Sequence, residues 1–276
     1  MSQDTIMLIP ALVRRSILLL LALLFVQEGA ASGDASKILD CMANNMPQTA
    51  GFQDIEFRSR SLSADLFEDE RILRASVYLG SVSGNRRNIL AYFHQPFEVR
   101  GARILLLEKE SGNETYLYAP VFGDVRRLTG RHVSSSVNGT DFSYEDLEQL
   151  YGVAKGGHWT QLDNMELDGR EIYVLESVNN AGGDVTYPRI KMYVDKSTCV
   201  TIKMKLYGNG ERVRKIFSVD TDSVRRINDS WIPYKMTMRD KRNMTETRLV
   251  VHETEFDTSL PDETFDPGHL KSFKPQ

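Results

Sequence analysis

The sequence has little of what most enzymatic chemistry needs. Two cysteines and five histidines are scattered over 276 residues with no metal-ligand spacing among them. No glycine-rich phosphate-binding motif occurs, and there is no alternation of strand and helix that would build a parallel nucleotide-binding sheet. Charge of one sign is not in excess: 34 Lys and Arg stand against 38 Asp and Glu, a formal net charge of −4, so nucleic acid is not an expected partner. Long apolar runs are also missing. The run Ile17–Val26 is ten residues, where a membrane-spanning helix needs roughly 20. A mean hydropathy of −0.35 argues against a protein of many spans.

That one apolar run has the flanks of a secretory signal peptide. Arg14-Arg15 precede it, and the small residues Gly29, Ala30, Ala31 and Ser32 follow. Cleavage near Ala31 would leave a periplasmic chain beginning around Ser32; the alternative is a membrane anchor. No cysteine directly follows the run, since Cys41 lies beyond Asp40, so a lipid-modified N-terminus is not expected. The expected organisation is a signal peptide over 1–31 and a single domain over 32–276. Two thiols in an exported chain can pair, but spacing alone does not say so. With Cys41 in an expected helix and Cys199 at an expected strand start, the simpler reading is two separate apolar thiols.

What is present is mostly strand. Asp34–Met46 reads as a helix: Ile38, Leu39, Met42 and Met46 share a face, Asp34 or Ser36 can cap it, and Pro47 stops it. From Ile55 the period changes to two. Expected strands are 55–60, 71–80, 87–95, 102–109, 116–119 and 125–128, separated by turns such as Ser83-Gly84-Asn85 and Ser111-Gly112-Asn113. After a short helix at Tyr144–Tyr151 they resume over 158–167, 171–178, 189–194, 200–207, 212–226, 230–239 and 242–256. Asp168-Gly169 is a strong hairpin signal, and Asn209-Gly210 another turn. Ile190, Met192 and Val194 oppose Lys191 and Tyr193; Ile202, Met204 and Leu206 oppose Thr201, Lys203 and Lys205; Ile232, Tyr234, Met236 and Met238 oppose Lys235, Thr237 and Arg239. Each such strand has one dry face that something must cover. Two or three short helices are too few for a flat sheet of a dozen strands, so the sheet must close or curl, leaving room for a ligand.

The densest signal lies in the centre. Tyr116-Leu117-Tyr118 is a period-2 strand ended by Pro120, Gly123-Asp124 turns into Val125–Leu128 with Arg126-Arg127, and a small polar loop leads to Gly139-Thr140-Asp141-Phe142-Ser143-Tyr144-Glu145-Asp146-Leu147. Ser143 with Asp146 is close to a helix capping box. This block resembles the bacterial outer-membrane lipoprotein-sorting protein family, relatives of the LolA carriers. The resemblance implies a mainly β, open antiparallel half-barrel of about a dozen strands, with a few helices plugging its concave face and an apolar cavity between. It implies no catalytic residues and no cofactor. As partners it implies lipid or lipoprotein acyl chains, and an inner-membrane lipid exporter of the resistance-nodulation type.

The expected cavity wall is Tyr116, Tyr118, Phe142, Tyr144, Met192, Met204, Tyr234, Met236 and Met238; methionine suits an adaptable wall, though ordinary core packing is the plainer role for any one of them. Arg126 and Arg127 are expected at an anionic head group or partner surface, or else paired with carboxylates at a strand edge. The carrier reading has an energetic logic: at about 0.8 kcal/mol per exposed CH₂, roughly fourteen groups cost on the order of 11 kcal/mol in water. Its rivals are an adaptor that binds a membrane transporter without lipid, an enzyme assembled from His94, His132, Asp141 and His158, and an outer-membrane barrel, whose lipid-facing bands the many Lys and Arg oppose.

Overall fold

The computed structural model describes residues 32–63, 70–82, 86–151, 158–179, 186–208 and 211–275. The expected signal peptide and the turns at Ser83-Gly84-Asn85 and Asn209-Gly210 lie outside them. Helix α1 (Ser32–Asn44) buries Ala35 and Ile38 and ends two residues short of Met46. Six strands follow: β1 (Gly51–Ser61), β2 (Arg71–Val82), β3 (Arg86–Gln95), β4 (Arg103–Leu107), β5 (Glu114–Tyr118) and β6 (Val125–Leu128). Helix α2 (Tyr144–Leu150) separates them from β7 (Trp159–Leu167), β8 (Arg170–Val178), β9 (Arg189–Asp195), β10 (Thr201–Tyr207) and β11 (Val213–Val219). The last four are β12 (Val224–Ile227), β13 (Ser230–Pro233), β14 (Lys235–Asp240) and β15 (Thr245–Phe256).

Thirteen strands form one open antiparallel sheet in the order β6-β5-β4-β3-β2-β1-β15-β14-β11-β10-β9-β8-β7. Hairpins build each half, because strands joined by short turns pair with their sequence neighbours. The two halves meet where the first and last strands pair, Phe57 opposite Leu249 and Ser61 opposite Thr245. At Asp168-Gly169 both residues have positive φ, 51° and 75°, as a two-residue hairpin whose twist matches its strands requires.

Two expected strands are each broken in two. The stretch 212–226 stops at Val219, where a short turn is held by side chains: Ser223 Oγ donates to the Asp220 carbonyl at 2.6 Å and accepts the Lys235 amide at 2.9 Å. The stretch 230–239 breaks at Tyr234, after Pro233, which has no N–H for a ladder bond. The freed pieces β12 and β13 pair only with each other.

The cysteines are not separate thiols. Cys41 on α1 is disulfide-bonded to Cys199, with Cα atoms 5.8 Å apart. Cys199 does not begin a strand; it takes positive φ, 56°, in the turn before β10. The bond ties α1 to the β9–β10 turn, while α1 also packs on β7.

Two apolar clusters lie on the two faces of the sheet. The larger fills the concave face, with Ile55, Phe57, Leu73, Ile104, Leu249 and Val251 among its members. The smaller lies on the convex face of β1–β5, where Tyr78, Leu90, Leu105 and Leu107 are covered by the C-terminal stretch through Leu270 and Phe273. That stretch is seated closely: a Cβ on Gly80 would run into the Phe265 ring, and Arg103 donates to the Phe273 carbonyl at 2.7 Å. This half of the sheet is therefore dry on its convex face where that stretch lies, while Glu56, Arg58 and Arg74 occupy the same face further along β1 and β2.

Candidate apolar binding site

The β8–β11 and β14 half of the concave face is organised as a row. Met238 lies opposite Phe217, Phe217 opposite Met204, Met204 opposite Met192, and Met192 opposite Leu175. Five side chains on five neighbouring strands, about 4.8 Å apart, make an apolar stripe roughly 19 Å long. Met236, Ile202 and Leu206 flank it. Methionine Sδ atoms are polarizable and their side chains unbranched, so such a stripe adapts to an irregular ligand.

The chain between β6 and β7 crosses the concave face, with its partners on β1, β5, β11 and β15. It must travel from one edge of the sheet to the other, because β6 and β7 are the two edge strands. On the way Phe142 packs edge-on against Phe57, ring centres 5.7 Å apart. A small turn precedes it: the Val137 amide donates to the Phe142 carbonyl at 2.8 Å, and Asn138 and Gly139 both have positive φ. Glycine suits position 139 because its φ of 82° is one that L side chains rarely adopt.

Polar groups hold this crossing segment to an apolar face. Asp141 accepts hydrogen bonds from its neighbours across the sheet, the Thr245 hydroxyl and, at 2.7 Å, the Thr247 hydroxyl; its own amide donates to Thr247 at 2.9 Å. Ser143 and Asp146 complete a capping box, the Ser143 amide donating to Asp146 Oδ2 at 2.8 Å and the Asp146 amide to Ser143 Oγ at 3.1 Å. The same Oδ2 takes the Lys215 ammonium at 2.7 Å and the Tyr187 hydroxyl at 3.5 Å, and the Lys215–Asp146 pair is almost fully buried. Further along, Glu148 accepts from Asn113 at 3.0 Å and Thr115 at 3.1 Å, and Tyr151 donates to Gln53 at 3.4 Å. Burial raises the Asp141 carboxyl above the ordinary carboxylate range, against the opposing Thr245 and Thr247 bonds. Burial likewise raises Glu145, with Asp146 and Glu148 adding to it. Burial and the adjacent Asp146 push the Tyr187 phenol strongly up, so it stays a neutral donor.

Seven of the nine expected wall residues come together here: Phe142, Tyr144, Met192, Met204, Tyr234, Met236 and Met238 all belong to the concave cluster. They are all buried, each 9 % exposed or less. Tyr116 and Tyr118 are the correction. Period 2 sends Thr115 and Leu117 of β5 inward and both tyrosines to the convex face, where the Arg103 guanidinium stacks 4.8 Å from the Tyr118 ring. Arg126 and Arg127 are exposed on edge strand β6; Arg127 pairs with Glu114 at 3.0 Å, and Arg126 stacks on Phe122 at 4.6 Å. The four candidate enzyme residues are not assembled: His94 is bonded to Ser76 at 2.7 Å, His132 and His158 are exposed, and Asp141 is buried within the crossing segment, bonded to Thr247. Among the described residues no group of three or more His, Cys, Asp or Glu is placed to hold a metal ion. Two cavities on the outer surface, about 290 Å³ beneath the C-terminal stretch and about 560 Å³ beside Asp168–Glu171 and Asp195–Ser197, do not touch the wall.

Lys215, Thr245 and Thr247 were not singled out by the sequence, although the signal is there. Lys215 shares its face of β11 with Phe217 and Val219, and Thr247 its face of β15 with Leu249 and Val251. A lysine in an apolar register demands a buried partner.

An open, one-sided antiparallel sheet with so few helices on its concave face is the LolA-like fold. Along 87 % of its length the chain matches a DUF1329 family protein from Desulfovibrio piger, covering 98 % of that chain at TM-score 0.78 and 19 % identity. A putative outer membrane lipoprotein-sorting protein domain from Vibrio parahaemolyticus matches over 87 % of this chain and 99 % of its own, at TM-score 0.76 and 19 % identity. A LolA superfamily protein from Nitrosomonas europaea matches over 84 % and 96 %, at TM-score 0.63 and 21 % identity. At these identities the likeness is one of fold. In sequence, residues 85–272 match the model of a family described as "Uncharacterized protein", and the chain belongs to that family. No curated protein matches it.

Proposed function

We propose that this chain is a periplasmic carrier that holds lipid or lipoprotein acyl chains against the methionine row and moves them between inner and outer membrane. The observation that carries the reading is the contrast between the row and the segment that crosses the same concave face. A continuous apolar stripe shares that face with a segment fastened through polar and ionic anchors: Asp141 to Thr245 and Thr247, Asp146 to Lys215, and Glu148 to Thr115. A buried ion pair contributes little net stability, because desolvating both charges offsets their attraction. Such a segment lifts at lower cost than one seated by packing alone, and it can rewet its charges when it does. Acyl chains then enter the concave face along the row. Residues 1–31 act in this proposal as the export signal and 32–276 as one carrier domain.

The direct test is mass spectrometry of an organic extract of the native protein, which should contain acyl lipid. Displacement of a fluorescent fatty acid gives the residue-level check. Met204→Glu on the row and Met236→Glu beside it place a charge against the apolar wall and should bind at least roughly tenfold more weakly. Lys203→Gln and Lys205→Gln lie on the other face and should bind as the parent does. No binding by the parent, or equal binding by all four variants, would leave the adaptor as the better reading. N-terminal sequencing of the exported protein should begin near Ser32.

A further inference from the structure

At one end of the sheet the connecting turns carry large apolar side chains that are exposed among the described residues. The register decides which turns share that end. Ser61 lies opposite Thr245, Arg74 opposite Gln95, Arg103 opposite Tyr118, and Tyr118 opposite Val125. The β3–β4 turn at 96–102, the β5–β6 turn at 119–124 and the β14–β15 turn at 241–244 therefore emerge together. Phe97 is 79 % exposed, Val121 81 %, Phe122 55 % and Met244 47 %. Ile72 and Val178, at strand ends on the same side, are exposed as well. Of the seven exposed large apolar side chains among the described residues, Met165 alone sits at the opposite end. Single exposed apolar residues are ordinary, but their collection on the turns of one end is not.

Each of the three turns pairs its apolar tip with a base. The Arg100 guanidinium lies 5.8 Å from the Phe97 ring centre, and that of Arg126 4.6 Å from Phe122. Lys241 and Arg242, both exposed, precede Met244 in its turn. The exposed acids on these turns are Glu98 and Asp124, so four cations face two carboxylates in a chain whose overall charge is negative. The first two turns are adjacent: a Cβ on Gly101 would lie 3.4 Å from Pro120.

We propose that this end of the sheet docks on the surface of an anionic lipid bilayer, with Phe97, Val121, Phe122 and Met244 entering the interfacial layer. Arg100, Arg126, Lys241 and Arg242 then meet lipid phosphates. A protein partner is bound through a contiguous, well-packed patch. Separate tips on separate turns suit a fluid surface that closes around each of them. The proposal goes beyond the carrier reading, for it concerns the outside of the molecule and requires no cargo.

The test is flotation of the full chain, purified as the cell produces it, with vesicles containing phosphatidylglycerol and with vesicles of phosphatidylcholine alone. The parent should float with the first and not the second. Phe97→Ser with Phe122→Ser and Met244→Ser should weaken partitioning at least roughly tenfold. Arg100→Glu with Arg126→Glu should weaken it about fivefold or more per site and remove the preference for phosphatidylglycerol. Met165→Ser, at the far end, should behave as the parent. Phe122→Trp supplies a readout that does not depend on truncation: its added emission should shift to the blue on anionic vesicles. Absence of parent flotation, unchanged flotation of the triple variant, an equal loss in Met165→Ser, or an unshifted Phe122→Trp emission would each overturn the proposal. So would capture of a protein partner by these tips with no vesicle binding.

Discussion

Lys215→Met leaves Asp146 as a buried carboxylate without a cation. In the parent the two are 2.7 Å apart and almost fully buried, and Asp146 is otherwise bonded only to Ser143 and, at 3.5 Å, Tyr187. Removing one member of a buried pair costs about 3–5 kcal/mol, because the remaining charge has lost its compensation. The chain can avoid that cost by lifting α2, which returns Asp146 to water. If the crossing segment moves as a unit, the substitution acts on its opening equilibrium rather than on the whole fold. At about 1.4 kcal/mol per tenfold, opening becomes more populated by between roughly a hundredfold and a few thousandfold. Native-state hydrogen exchange reads this directly. The amides of Leu147 and Tyr151, bonded within α2 at 3.1 and 3.0 Å, should exchange faster by two to three decades. Amides of β1 around Phe57 should change much less, and fatty-acid affinity should rise because less of the protein is closed. Asp146→Asn added to Lys215→Met removes the orphaned charge and should restore most of the protection. The reasoning fails if α2 and β1 amides lose protection equally, or if α2 protection is unchanged.

Two further outcomes are expected. Replacing Cys41 and Cys199 by Ser opens a link spanning 158 residues, which the chain-entropy relation values at about 5 kcal/mol; the urea midpoint should fall, and reductant should reproduce the fall in the parent. Acid should act in two opposite ways. Burial pushes Glu56 and Glu246 up, but hydrogen bonds from Arg58 and Arg74 to the first, and from Arg239 and Arg60 to the second, hold both below the ordinary range. Their contribution is present above the ordinary carboxylate pKa and is lost as pH falls through their lowered values, so global stability should drop in strong acid. Asp141 and Glu145 are raised, so their closed form binds more protons and gains as pH falls toward the ordinary range from above. Exchange in α2 should therefore slow, at constant intrinsic rate, before the global loss begins. Faster α2 opening throughout acidification would contradict those assignments.

The hairpin half of this architecture was legible because it is local. Alternation at Ile202, Met204 and Leu206, and turn chemistry at Asp168-Gly169, need no knowledge of the rest of the chain. The breaks at Val219 and Tyr234 were not legible, since alternation continues through them while Ser223 redirects the backbone. Tyr116 and Tyr118 failed for another reason. Period 2 groups residues onto faces but does not say which face is concave, and on β4 and β5 both faces carry buried or partly buried apolar side chains. The C-terminal stretch that makes the convex face dry has no periodicity of its own.

The crossing of the concave face follows from strand order, and strand order is the least local property of the molecule. Each half-sheet grows outward from the central β1–β15 pair, one half ending in β6 and the other in β7. Those two strands are consecutive in sequence yet lie at opposite edges, so the connection between them has to cross the sheet. It crosses on the concave side, and there it meets a surface already apolar. Charged and hydroxyl groups must then appear within the apolar register wherever the crossing backbone and its carboxylates need partners. Lys215 on β11 meets Asp146, Thr245 and Thr247 on β15 meet Asp141, and Thr115 on β5 meets Glu148. Polar residues that look misplaced on three strands are thus one feature, the landing points of a single crossing. A sequence reading that asked where each inward-facing polar side chain finds its partner would have located the crossing before the strand order was known.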